Sequence, residues 1–182
     1  MIREIVLFGD PVLRKVGARI PAVNEEIRQL AVDMVDTMRE ADGVGLAAQQ
    51  VGVALQIAVV DVAGVESRPS AMWVGGEPVA LEPLMPLVLI NPRLELGKEK
   101  ESGNEGCLSF PRMNAEIVRA TKIRCVAQGL NGETIDFEAT GLLARAVQHE
   151  VDHLNGVLFI DRMSSAAKAG LSSKLKRLSR RE

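Results

Sequence analysis

The sequence predicts an α+β fold, with mixed or antiparallel β-sheets around a central helix and a further helix at the C-terminus. Three observations carry this. Short runs rich in Val, Ile and Thr recur between Gly, Pro and Asn breaks, as strands do. Two stretches, 24–43 and 140–156, place apolar residues at helical spacing between capping signals. A third, 164–182, carries Leu171, Leu175 and Leu178 on one stripe among basic residues.

Each element follows from its residues. Ile5–Phe8 reads as a short extended run. Asn24 caps the first helix, with Glu25 and Glu26 in its first turn. Ile27, Leu30, Ala31, Met34, Val35 and Met38 form its apolar stripe, which reads as core packing rather than a methionine-rich binding surface. Gly43 ends that helix. Strands are expected at 55–62, 87–90, 116–119, 121–127 and 134–137. Thr140 caps the central helix, Leu142, Leu143, Ala146 and Val147 form its apolar run, and Asn155-Gly156 stops it. Between strands, 63–86 is a long Pro/Gly-containing connection with the only tryptophan, Trp73. It is either a loop flanking a cleft or partner surface, or a tolerated surface insertion.

The 182 residues fit one domain, 1–182, with a sizeable core. Hydrophobic residues make up 47%, but aromatics only 3% and there is no tyrosine, so Val, Leu, Ile, Ala and Met must fill that core. Two cysteines and no signal peptide imply a reducing, cytoplasmic setting. No apolar stretch approaches the ~20 residues of a membrane span.

The chemistry concentrates in "QHEVDHLNG", 148–156, which holds both histidines of the chain. Four residues of helix advance about 6 Å and turn about 40° past a full circle, so His149 and His153 project from one face. Two imidazoles so placed can share a metal. Glu150 points about 100° away, beside the pair, where it can handle protons rather than ligate. This is the H-E-x-x-H logic of metal-dependent hydrolases.

A catalytic metal commonly takes three protein ligands, so one is missing. Phe159 stands where a metzincin has its third histidine, and only Glu182 lies far enough downstream for a thermolysin-like ligand. A third ligand would therefore lie upstream. Cys125, in "TKIRCVAQGL", reads as a small buried hydrophobe. Cys107, in the polar turn "NEGCLSFP", is not explained by packing, and a thiolate suits Zn2+ or Fe2+. A Cys–His nucleophilic pair would leave the second histidine and Glu150 without roles. A Cys107–Cys125 disulfide does not suit a chain without a secretion signal.

Three stretches, "GVGLAAQQ" (43–50), "EGCLS" (105–109) and "QHEVDHL" (148–154), resemble the peptide deformylases in order and separation. The opening "LFGDPVLRK" and the "LINP" before the cysteine turn are similar too, so the resemblance spans nearly the whole chain. It implies that family's fold around the HExxH helix. It also implies removal of the N-terminal formyl group from formyl-methionine of nascent bacterial polypeptides, with release of formate. Cys107, His149 and His153 would bind one divalent metal: Fe2+ by the resemblance, with Ni2+, Co2+ or Zn2+ able to substitute, although ligand type alone points to Zn2+. Glu150 would carry the proton from water to the leaving amine. The Gln50 side-chain amide and the Leu108 backbone N–H would meet the oxyanion. The Gly45 backbone would pair with the substrate like an added strand, with Gly106 also on the substrate path.

The helix face of His149 also carries Ala146, Arg145 and Leu142, which with Val44 would line a pocket for the methionine side chain, the Arg145 head reaching water. Glu105 reads as a structural carboxylate paired with Arg119. Asp152 is either a partner of a ligand histidine or a solvated charge. The basic segment 164–182 (Lys168, Lys174, Lys176, Arg177, Arg180, Arg181) either attracts ribosomal RNA near the peptide exit or is a solvated helix face. No membrane or DNA partner is implied. Competing readings are an amidase or protease of other specificity, a non-catalytic binding module, and a redox sensor acting through Cys107.

Overall fold

The computed structural model describes residues 1–180; Arg181 and Glu182, the end of the expected basic helix, lie outside the described residues. Among the described residues nine strands run in chain order: β1 (Gly45–Ala47), β2 (Ile57–Val60), β3 (Ser70–Val74), β4 (Glu77–Val79), β5 (Leu87–Leu96), β6 (Lys100–Gly106), β7 (Asn114–Ala120), β8 (Lys122–Gln128) and β9 (Thr134–Thr140). Seven form one sheet in the order β1-β2-β5-β8-β9-β3-β4, and β6-β7 form a separate two-stranded sheet. All pairings between named strands are antiparallel. The helices are α1 (Glu25–Glu40), α2 (Gly141–Leu154), α3 (Ser165–Gly170) and α4 (Ser172–Arg180).

The period-two alternation of strands and the stripes of the helices decide how these layers meet. On β2, Ile57 and Val59 face one way and pack with Ile27, Leu30, Met34 and Met38 of α1. Val60 belongs to the opposite cluster, with Leu142, Leu143 and Val147 of α2 against Leu89, Ile123 and Phe137. The sheet is thus covered on both faces, and α2 lies across it as the central helix. The C-terminal leucines complete a third cluster: Leu175 is buried, and Leu171 and Leu178 pack beside Leu13, Phe110 and Phe159.

Several boundaries differ from expectation for identifiable reasons. Ile5–Phe8 forms no strand; its N–H groups instead tie two distant turns, Val6 to the Gln50 carbonyl at 2.8 Å and Phe8 to that of Ser109 at 3.0 Å. Segment 63–86 is not a loop throughout. It contains the β3–β4 hairpin, turned at Gly75 and Gly76 with φ of 61° and 84°, and β3 joins the main sheet through β9. Pro78 is tolerated because β4 is an edge strand. At the end of α1 the left-handed residue is Asp42 (φ 52°), while the Gly43 N–H closes the cap on the Met38 carbonyl at 2.9 Å. The expected C-terminal helix is two short helices, α3 and α4, joined at Leu171.

The start of α2 matters most for the site. Thr140 is the cap residue, but its side chain makes no capping bond. The Leu143 N–H instead donates to Ser70 Oγ at 2.9 Å, and the Leu142 N–H to the Pro69 carbonyl at 3.3 Å. Gly141 has φ of 69°, and a Cβ there would lie 2.0 Å from the Pro69 oxygen. Gly141→Ala should therefore cost about 2–4 kcal/mol in stability, from the left-handed backbone and the steric clash together. Ser70→Ala, removing one cap, should cost only about 1 kcal/mol. Urea unfolding of both variants checks the order; equal midpoints for Gly141→Ala and the parent would refute this account of the α2 start.

Candidate metal centre and active site

Helix periodicity brings the two imidazoles together as the spacing requires. His149 Nε2 and His153 Nε2 lie 3.2 Å apart on the buried face of α2. Cys107 Sγ lies 3.3 Å from His153 Nε2, and the three ligand atoms all fall within 4.8 Å of one another. The edges of a tetrahedral Cys-His-His site are about 3.3–3.6 Å, so the donors present fit one divalent ion.

Cys107 reaches this point because β6 ends at Gly106 and the chain turns sharply, with the Phe110 N–H bonded to the Cys107 carbonyl at 2.9 Å. Phe110 anchors the turn: its ring stacks on Phe8 at 4.9 Å and meets the Phe159 ring edge-on at 5.0 Å.

Glu105, on β6 and 5% exposed, braces the cluster of Cys107, His149 and His153 from outside. One oxygen lies 2.9 Å from His149 Nδ1. The Arg119 guanidinium grips both oxygens, at 2.8 and 3.0 Å, and Arg145 Nη1 adds a third donor at 3.0 Å. Burial works against the Glu105 charge, but the His149 and Arg119 hydrogen bonds outweigh it and hold the carboxyl at about 2. Burial likewise disfavours a charged His149, yet contacts with Cys107 and Glu105 raise it well above the usual range. His153, buried beside a charged neighbour, moves the other way.

Glu150 occupies a different environment. It is 4% exposed, and burial pushes its carboxyl up to about 7. Its Oε2 is buried without a hydrogen-bond partner. Gly45 on β1 makes room for it: a Cβ at Gly45 would lie 2.3 Å from Glu150 Oε1. Gln50 sits opposite in a 3-10 turn. Its Oε1 accepts from the Ala47 N–H at 2.9 Å, which turns Nε2 toward Ser109 Oγ at 3.3 Å and Cys107 Sγ at 3.6 Å.

These groups open into a cavity of about 410 Å3. Every site residue singled out in the sequence lines it except His153, which lies behind at 1% exposure: Val44, Gly45, Gln50, Gly106, Cys107, Leu108, Leu142, Arg145, Ala146, His149 and Glu150.

Two expectations need correction. The Arg145 head does not reach water; it is buried and donates to Glu105 and to the Ile117 and Glu101 carbonyls at 2.7 and 3.1 Å, because a buried guanidinium must satisfy its donors. Asp152 touches no ligand histidine; it pairs with Arg119 and Arg162, and the carboxylate on His149 is that of Glu105. Of segment 63–86, Arg68 lines the cavity, while Trp73 lies beneath the Lys122 ammonium at 5.5 Å. Sequence reasoning also missed Ser109, Phe110, Arg68 and Arg112. Ser109 lay within a quoted motif, but its contact with Gln50 is a long-range one with no local signal.

Comparison with known proteins agrees with this geometry. The family model for polypeptide deformylase matches residues 2–169. A peptide deformylase from Methylacidiphilum infernorum is 44% identical, covering 100% of this chain and 95% of its own. One from Opitutus terrae is 41% identical over 99% and 94%. Among solved structures, the peptide deformylase from Thermotoga maritima is 39% identical with a TM-score of 0.77, covering 90% of this chain and 99% of its own. That from Synechococcus elongatus, solved with actinonin, is 36% identical with a TM-score of 0.80, over 96% and 86%. The chain belongs to the peptide deformylase family, metal-dependent hydrolases that remove the N-formyl group from nascent polypeptides.

Proposed function

We propose that residues 1–182 act as one catalytic unit in which Cys107, His149 and His153 hold a single divalent metal, Fe2+ in the working enzyme. The observation that carries this reading is the convergence of one thiol and two imidazoles beside a buried carboxylate at the floor of the cavity. The donor set is compatible with iron and with zinc. A divalent metal bound there would act as a Lewis acid and favour a nucleophilic water near neutral pH.

The remaining steps belong to the side chains. Glu150 accepts a proton from the attacking water and returns it to the leaving amine; an unpartnered carboxylate oxygen and a carboxyl raised to about 7 suit that double role. The Gln50 Nε2 and the Leu108 backbone N–H serve the developing oxyanion, the former pre-oriented by its bond to Ala47. Val44, Leu142 and Ala146 receive the methionine side chain, and the stem of Arg145 adds apolar surface while its head holds Glu105. β1 and β6 are both sheet edges, so the Gly45 and Gly106 backbones can pair with an extended peptide.

The formyl-methionine end of a nascent chain is then the substrate, in the cytoplasm of a bacterium. No helix among the described residues is long and apolar enough to cross a membrane. Lys168, Lys174, Lys176, Arg177 and Arg180 stay exposed while Leu175 docks, which suits attraction to ribosomal RNA.

The test is formate release from formyl-Met-Ala-Ser by protein purified without oxygen and loaded with Fe2+ or Ni2+. Glu150→Ala should lower kcat/KM on the order of 10²–10⁴-fold with the metal retained. No formate from the folded, metal-loaded parent would reject the reading. Gly45→Ala should lose activity to a similar extent, because its methyl displaces the Glu150 carboxylate. Glu105→Gln should weaken metal affinity about 10–100-fold, read by competition with a chelator.

A further inference from the structure

The mouth of the cavity carries charge that the reaction does not use. Three exposed charged residues line it: Asp42, Arg68 and Arg112. The other charged lining groups, Glu105, Arg145 and Glu150, are buried, and the first two are paired with each other. Arg68 and Arg112 differ from the arginines deeper in the site, since neither has an ion-pair or hydrogen-bond partner among the described residues.

Both arginines stand on anchored backbone. Arg112 follows the cysteine turn with φ of 59°, a conformation that a long side chain seldom adopts. The next residue is tied back, the Met113 N–H bonding the Phe110 carbonyl at 3.1 Å. Arg68 precedes Pro69, whose carbonyl accepts from Leu142 at the start of α2. Both arginines therefore line the cavity from segments tied to the cysteine turn and to the histidine helix.

We infer that Arg68 and Arg112 select formyl-methionyl chains with an acidic residue shortly after the methionine. The inference rests on the substrate orientation proposed above: with the formyl group at Cys107 and His149 and the methionine side chain against Leu142 and Ala146, the following residues must leave through the mouth. The exposed charges lining it are two guanidiniums, unpaired among the described residues, against one carboxylate, Asp42, so a passing Asp or Glu meets net positive charge. Exposed ion pairs are weak, and together the two should favour an acidic over a neutral peptide by about three- to tenfold, mostly through KM. The preference should fade at high salt, where the Debye length falls to about 3 Å.

The experiment compares C-terminally amidated formyl-Met-Ala-Glu-Ser with its Gln counterpart, and a Lys counterpart, on the metal-loaded enzyme. The readout is the ratio of kcat/KM for Glu over Gln within each protein. The parent should show the three- to tenfold preference at low salt, Arg68→Ala/Arg112→Ala a ratio near one, and Arg112→Glu a shift toward the Lys peptide. Equal use of Glu and Gln by the parent, a preference that survives in the double variant, or a preference for Lys in the parent would overturn the inference. Failure of the parent to deformylate the neutral Gln peptide would instead overturn the site reading, and this inference with it.

Discussion

The site depends on one buried carboxylate. Glu105 holds His149 through Nδ1 and is itself held by Arg119 and Arg145. These four residues come from β6, β7 and α2, so the contact locks the small sheet onto the central helix and sets where Cys107, two residues further on, must emerge. An ion cluster at this depth is poor evidence for added stability, because desolvation offsets much of the attraction. Its value here is positional. Removing any one charge would leave the others buried and uncompensated, which fixes a single arrangement of the histidine pair. Asp152 and Arg162 extend the network from Arg119 to the surface, so the far side of the ligand shell is bounded by charge as well.

Two carboxylates in one helix-and-strand neighbourhood thus receive opposite treatment. Glu105 is ringed by donors and held at about 2, an anion that orients an imidazole. For Glu150 burial pushes the carboxyl up to about 7, and with Gly45 facing it and one oxygen lacking a donor among the described residues, no fixed hydrogen bond offsets that push. Burial raises both carboxyls, and what separates them is that Glu105 reaches several N–H groups that outweigh it. A group meant to pass a proton twice must not be saturated with fixed donors, whereas a group meant to hold a ring still must be.

What could be read from the sequence follows the range of the interactions. The histidine pair, the α1 stripe and its Asn24 cap are local patterns, and each stands as the spacing required. So does the fold class, because strand alternation and helix stripes are set within a few residues. Arg145 could not be read correctly, since its partner Glu105 lies 40 positions away and nothing local distinguishes a buried arginine from a snorkelling one. The α2 cap is supplied by Ser70, 73 positions from the N–H it accepts, in place of the adjacent Thr140. The β3–β4 hairpin was hidden by Gly75, Gly76 and Pro78, which are breakers in general but are the residues a tight turn and an edge strand admit. Cys107, the thiol of the candidate site, stands out in sequence because local packing does not explain it and because it falls within "EGCLS"; its position depends on a turn stabilised by Phe8 and Phe159 from opposite ends of the chain.

The same division explains where specificity can vary. The floor of the cavity is over-determined: any side chain at Gly45 would strike the Glu150 carboxylate, and displacing His149 would break its contact with Glu105. The mouth has no such closure. Its charged groups are exposed, and substituting them disturbs no buried partner, so the energetic penalty for change there is within a few tenths of a kcal/mol, about that of ordinary surface positions. Chemistry is therefore tied to the interior ion network, while selection among peptide chains falls to residues such as Arg68 and Arg112, whose side chains make no contacts that the fold requires.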